Sequence, residues 1–127
     1  MHGKHLYEYA VIRVVPVLER GEFVNAGIIV FSKRTGYLQV RMAMDASRLA
    51  AFRSDLDLEQ VQGNLDSFIR IAHGVPDGGP IAHLDPAERF RWLTAVRSTA
   101  VQTSRPHSGL CGDLDATTEQ LFHELVL

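Results

Sequence analysis

The sequence predicts an α+β domain, with a small antiparallel sheet made of an N-terminal three-stranded meander plus a late strand, packed with about four helices. Three observations point there. The stretch from Tyr7 to Phe31, YEYAVIRVVPVLERGEFVNAGIIVF, sets two apolar, β-branched runs on either side of Glu19-Arg20-Gly21, which is the pattern of a hairpin. Residues 57–72 repeat apolar positions at helical spacing behind an aspartate. A chain of 127 residues with 46% apolar content suits a single domain, 1–127, that buries its own core.

The hairpin is read first. Glu19-Arg20-Gly21 suits a three-residue loop whose glycine takes the left-handed region and ends the turn as a bulge. Leu18 is then expected opposite Glu22, Val15 opposite Asn25, Arg13 opposite Gly27, Ile12 opposite Ile28 and Ala10 opposite Val30. In that register Ala10, Ile12, Val14, Ala26, Ile28 and Val30 form one apolar face. The other face holds Tyr9, Val11, Ile29 and Phe31 at its far end, and a polar patch of Arg13, Asn25 and Gly27 near the turn. Glycine weakens a strand, and close approach of a neighbour or a ligand is a common reason to find one. Ser32-Lys33-Arg34-Thr35-Gly36 turns into a third strand, in which Leu38, Val40, Met42 and Met44 alternate with Tyr37, Gln39, Arg41 and Ala43.

Helices follow. Asp45 is placed to cap a short one with Leu49 and Phe52 inward. Asp57 with Gln60 forms a capping box ahead of the stripe Leu58, Val61, Leu65, Phe68, Ile69 and Ala72, and Gly74 and Pro76 stop that helix. Gly63 in its middle implies either close packing or a surface site. Asp85-Pro86-Ala87-Glu88 combines a cap, a first-turn proline and an acid, with Phe90, Leu93 and Val96 facing inward. Arg89, Arg91 and Arg97 read as a solvated or partner-facing side beside Trp92. Residues 98–104 return to strand composition, and Leu121, Phe122, Leu125 and Val126 stripe a closing helix that Asp115 is placed to cap.

Totals narrow the function. With 13 basic and 15 acidic side chains and a formal charge of −2, the chain lacks the basic excess of a nucleic-acid binder. It has no apolar run long enough for a membrane span, its first residues lack the apolar core of a secretory signal, and its single Cys111 forms no internal disulfide. A cytoplasmic protein is expected. His2 and His5 lie in what reads as a loose terminus. His73, His83, His107 and His123 are scattered without paired ligand spacing, so no metal and no cofactor is expected.

Two places can carry chemistry. One is Arg13, flanked by Ile12, Val14 and Val15, which needs a partner: Glu22, Asn25, a distant carboxylate such as Asp113, or a bound anion. The other is Ser104–Asp113, which reads as a polar loop; its Arg105, His107 and glycines suit an anion, and its His107 and Cys111 raise a thiol nucleophile and base. Glu22 reads as a structural ion pair across the hairpin, against the alternative of a general base.

Tyr7-x-Tyr9, Arg13, Pro16, Arg20-Gly21-Glu22, Asn25 and Gly27, followed by Arg97-Ser98-Thr99, Gln102, Ser104, His107 and Gly109, together resemble the bacterial domain-of-unknown-function 3037 family. The resemblance spans nearly the whole chain. It implies no established reaction or cofactor, and it implies an accessory role, since family members are often encoded beside a HipA-like kinase. It marks Arg13, Arg20, Glu22, Asn25 and Gly27 in the hairpin, then Ser98, Thr99, Gln102, Ser104, His107 and Gly109 near the last strand, two sets that converge if that strand pairs beside the first. Of these Arg13, Arg20, Glu22, Asn25, Gly27, Ser104 and His107, with the anion-suited Arg105, are the site candidates, and Pro106 before His107 is a departure from the family pattern. The expectation is a non-catalytic binding protein for a protein partner or an acidic ligand. The alternative is a small enzyme in which Glu22 or His107 does acid–base work while Arg13 and Arg105 clamp a phosphate or carboxylate.

Overall fold

A computed structural model describes residues 4–95 and 99–127. Its elements in chain order are strands β1 (His5–Val14), β2 (Val24–Ser32) and β3 (Tyr37–Met42), helices α1 (Ala46–Phe52), α2 (Leu58–Ala72) and α3 (Pro86–Leu93), strands β4 (Val101–Thr103) and β5 (His107–Cys111), and helix α4 (Leu114–Leu125). A 3-10 turn, Ile81–His83, precedes α3. The strands form one antiparallel sheet in the order β3-β2-β1-β4, with β5 also paired to β1. The α+β arrangement expected from the sequence is therefore present, with its meander and with two late strands instead of one. Among the described residues no helix is long and apolar enough to cross a membrane.

The hairpin register differs from expectation by one residue as far as Ile12 and by two beyond it. Tyr9 pairs with Val30, Ala10 with Ile29, Val11 with Ile28 and Ile12 with Gly27. A bulge then sets Ala26 and Gly27 together against Ile12, after which Arg13 pairs with Asn25 and Val14 with Val24. Gly21 does take the left-handed conformation (φ +72), but pairing stops at Val14 and residues 15–23 form a longer loop. The cause is on β1 itself. Val15 N–H is spent on Ala100 O (2.7 Å), and Pro16 has no N–H to offer to β2.

A one-residue slip exchanges the faces of a strand, and here both faces are covered. One carries Ala10, Ile12, Val14, Ile29, Phe31, Leu38 and Val40, joined through the bulge by Val24 and Ala26, and packs on Leu49, Val61, Leu65, Phe68, Phe90 and Leu93 of α1–α3. The other carries Val11, Ile28 and Val30 and packs on Phe122 and Val126. Every β2 residue except Asn25 is buried, so its apolar pattern holds no information on which side is which. Fully burying each such side chain contributes roughly 1.5–3 kcal/mol.

The helix starts follow the aspartates. Asp45, Asp57 and Asp85 accept from the N–H of Arg48, Gln60 and Glu88 at 3.0, 3.1 and 2.9 Å. The closing helix is capped by Asp113, which accepts from Ala116 N–H at 3.0 Å, and Asp115 lies in its first turn. Phe52 is 43% exposed, and Leu49 alone is buried on α1. Arg89 is not part of a solvated side. It reaches the end of α2 and donates to Ala72 O (3.1 Å), in space left by Gly74, where a Cβ would collide with Arg89 Nη1. His5 belongs to β1, paired with Cys111; His2, Val96, Arg97 and Ser98 lie outside the described residues.

Candidate functional site

Arg13 stands mid-row between two neighbours, paired with Asn25 on β2 and Gln102 on β4. Its guanidinium carbon lies 4.0 Å above the centre of the Phe23 ring, a cation–π contact. Phe23 is the partner that sequence reading missed, and the signal for it was an aromatic two residues ahead of the cross-strand Asn25. Arg13 Nε is buried with no hydrogen-bond partner among the described residues. Neither Glu22 nor Asp113 serves it: Glu22 pairs with Arg20 (2.7 Å) in the exposed loop, and Asp113 caps α4. Asn25 instead donates to Leu125 O (2.9 Å), fastening the end of α4.

Gly27 leaves the polar patch. A Cβ there would meet Arg41 O at 2.5 Å and Met42 Sδ at 2.7 Å, so its bare backbone serves the close approach of a neighbour, β3. Ser104 also has a structural task. Its N–H donates to Val11 O (2.8 Å) and its hydroxyl accepts from Val11 N–H (2.9 Å), which carries the ladder across the step from β4 to β5.

Half of the expected loop 104–113 is strand. His107–Cys111 pairs with His5–Tyr9, because alternating exposure and a glycine suit an edge strand as well as a loop. His107 and Cys111 are four residues apart along it, about 13 Å at strand rise, which is too far for a nucleophile and its base. His107 is exposed and its ring lies 5.3 Å from that of Tyr9. Tyr9 in turn lies 6.3 Å from Tyr7. The Tyr7 ring covers Gly109, where a Cβ would stand 2.5 Å from the Tyr7 hydroxyl. Burial, then the nearby Cys111 and Tyr9, raise the Tyr7 phenol above its ordinary value.

Tyr7, Tyr9, His107 and Gly109, then Arg13, Gln102 and Asn25, thus fall on one sheet face. The helix on that face, α4, sits over β2 and β3. It is held there by Tyr37, whose hydroxyl is 2.8 Å from both Asp115 Oδ1 and Thr118 Oγ1, and by Arg41, which pairs with Glu119 and stacks on Phe122. The β1–β5 half is left partly open, with Tyr7, Tyr9 and Arg13 half-buried and Arg105 and His107 exposed. Arg13 and Tyr9 are about 13 Å apart along β1, so the strip is long and shallow. Glu22, beyond the end of β1, and His107, at the rung of Tyr9, are not brought together. Among the described residues no group of three or more metal-ligating side chains occurs.

Residues 9–126 match the model of a family described as protein of unknown function (DUF3037), and the chain belongs to that family. No curated protein and no solved structure shows a match to it.

Proposed function

We propose that this chain, as a member of a family without an assigned reaction, is a non-catalytic, cytoplasmic binding protein that docks a protein partner on the β1–β5 strip. One observation carries the reading: the same sheet face presents two aromatic-bearing clusters, Tyr7, Tyr9 and His107 at one end and Arg13 stacked on Phe23 at the other, with Val11 buried between them and Phe23 43% exposed. Aromatic rings and arginine held rigidly on strands are the side chains that dominate binding at protein interfaces. Arg13 is pre-ordered by Phe23, which lowers the entropic cost of engaging it. The exposed Arg105 at the margin favours a partner with an acidic residue at its rim, whereas Arg20 is already paired with Glu22.

A HipA-like kinase is the partner class proposed, on the strength of the family resemblance. The test is titration of the purified kinase into the wild-type chain and into Tyr9→Ala, Phe23→Ser and His107→Ala variants with unchanged melting temperatures. Binding that weakens in the variants supports the strip as the interface; equal affinity across the set removes it.

A further inference from the structure

A second surface lies on the opposite face of the sheet, where the cover from α3 ends. Phe31 is stacked on Phe90 of that helix (5.0 Å), but Leu6 lies further out. Leu6 and Leu110 are direct partners across β1 and β5, and each is 64% exposed. The pair sits at the end of β1 and β5, and it leaves a contiguous apolar patch open to solvent. The two line a trough of about 640 Å³ together with Lys4, Lys33 and Arg34. Three cations and two leucines make up this lining, and no carboxylate is in it. The backbone beneath is fixed, since the Ser32 hydroxyl donates to Leu6 O (2.9 Å).

We propose that this trough binds a segment of a partner protein in which acidic residues flank bulky apolar side chains. The apolar side chains rest between Leu6 and Leu110, and carboxylates on either side meet Lys4 and the Lys33/Arg34 pair. Charge complementarity selects this occupant over a second copy of the chain, which would bring the same three cations to the contact. The site is independent of the β1–β5 strip, on the other side of the sheet.

The probe is a labelled peptide, Glu-Glu-Leu-Leu-Glu-Glu, followed by fluorescence polarisation, with the same peptide carrying Lys for Glu or Ser for Leu as controls. Binding of the acidic apolar peptide is expected, weakened at least about tenfold by Leu6→Ser with Leu110→Ser, and as much by Lys33→Glu with Arg34→Glu. Raised salt weakens it too. The substituted side chains are exposed, and matching melting curves check that the variants fold. No binding, equal binding by the variants, or equal binding of the controls overturns the proposal. A dimer lost on Leu110→Ser, or capture by anionic vesicles without peptide binding, overturns it in favour of a second copy or a lipid surface.

Discussion

Val11 and Ser104 exchange two hydrogen bonds, Val11 N–H to Ser104 Oγ at 2.9 Å and Ser104 N–H to Val11 O at 2.8 Å. The serine hydroxyl takes the place of a backbone carbonyl where β4 gives way to β5, and it is buried. Ser104→Ala leaves a buried amide without an acceptor, at a cost of about 1–3 kcal/mol. Chemical denaturation of the variant measures this. A serine that contacted a ligand would instead lose binding and keep its stability.

Two glycines separate close approach from tolerance. A methyl group at Gly27 meets the β3 backbone, whereas one at Gly63 meets nothing within 4 Å. Gly27→Ala is expected to destabilise by about 1–3 kcal/mol. Gly63→Ala is expected to stabilise by about 0.5–1 kcal/mol through helix propensity. Denaturation midpoints that move in the same direction for both would contradict these placements.

Tyr37 couples the sheet to α4 and makes stability fall at alkaline pH. Burial, with Asp115 beside it, pushes its phenol up to about 12 from 10.0. Between those values the unfolded chain has lost the proton that the folded chain retains, so its contribution is complete below pH 10 and declines as pH rises through 12. Tyr37→Phe should show a shallower loss of stability over that window. Identical slopes in wild type and variant would place the phenol in ordinary solvent.

Arg13→Ala is expected to cost about 0.5–2 kcal/mol, through the stacked ring and the buried stem. Arg34→Ala, at an exposed turn, is expected to cost less. Equal melting temperatures would mean that the Phe23 contact contributes nothing.

The elements that local chemistry defines were legible in the chain. Asp57 and Asp85 start their helices because a carboxylate at that position has one local use, and Gly21 is left-handed as its turn requires. Register was not legible, because β2 is buried on both sides and its Ile28-Ile29-Val30 run satisfies either choice. The bulge at Ala26–Gly27 restores the expected parity beyond it, so Arg13 and Asn25 share a face as read, whereas Gly27, Ile29 and Phe31 fall on the other. Of the site, Arg13, Asn25 and His107 were named from sequence and lie on one face. Ser104 and Gly27 were named for chemistry and serve the backbone, a distinction that rests on pairings distant in sequence. Phe23 was missed because a ring over a guanidinium depends on where the loop ends.

The function proposed for this chain rests on the face from His107 and Tyr9 to Arg13 and Phe23 binding a protein. The most direct measurement is isothermal titration of a HipA-like kinase into wild type and into a Tyr9→Ala/Phe23→Ser double variant, each shown to be folded. Binding by the wild type is expected, with a loss of at least about tenfold in the variant. Wild-type binding that survives the double substitution intact, or a kinase that does not bind the wild type at all, would contradict it.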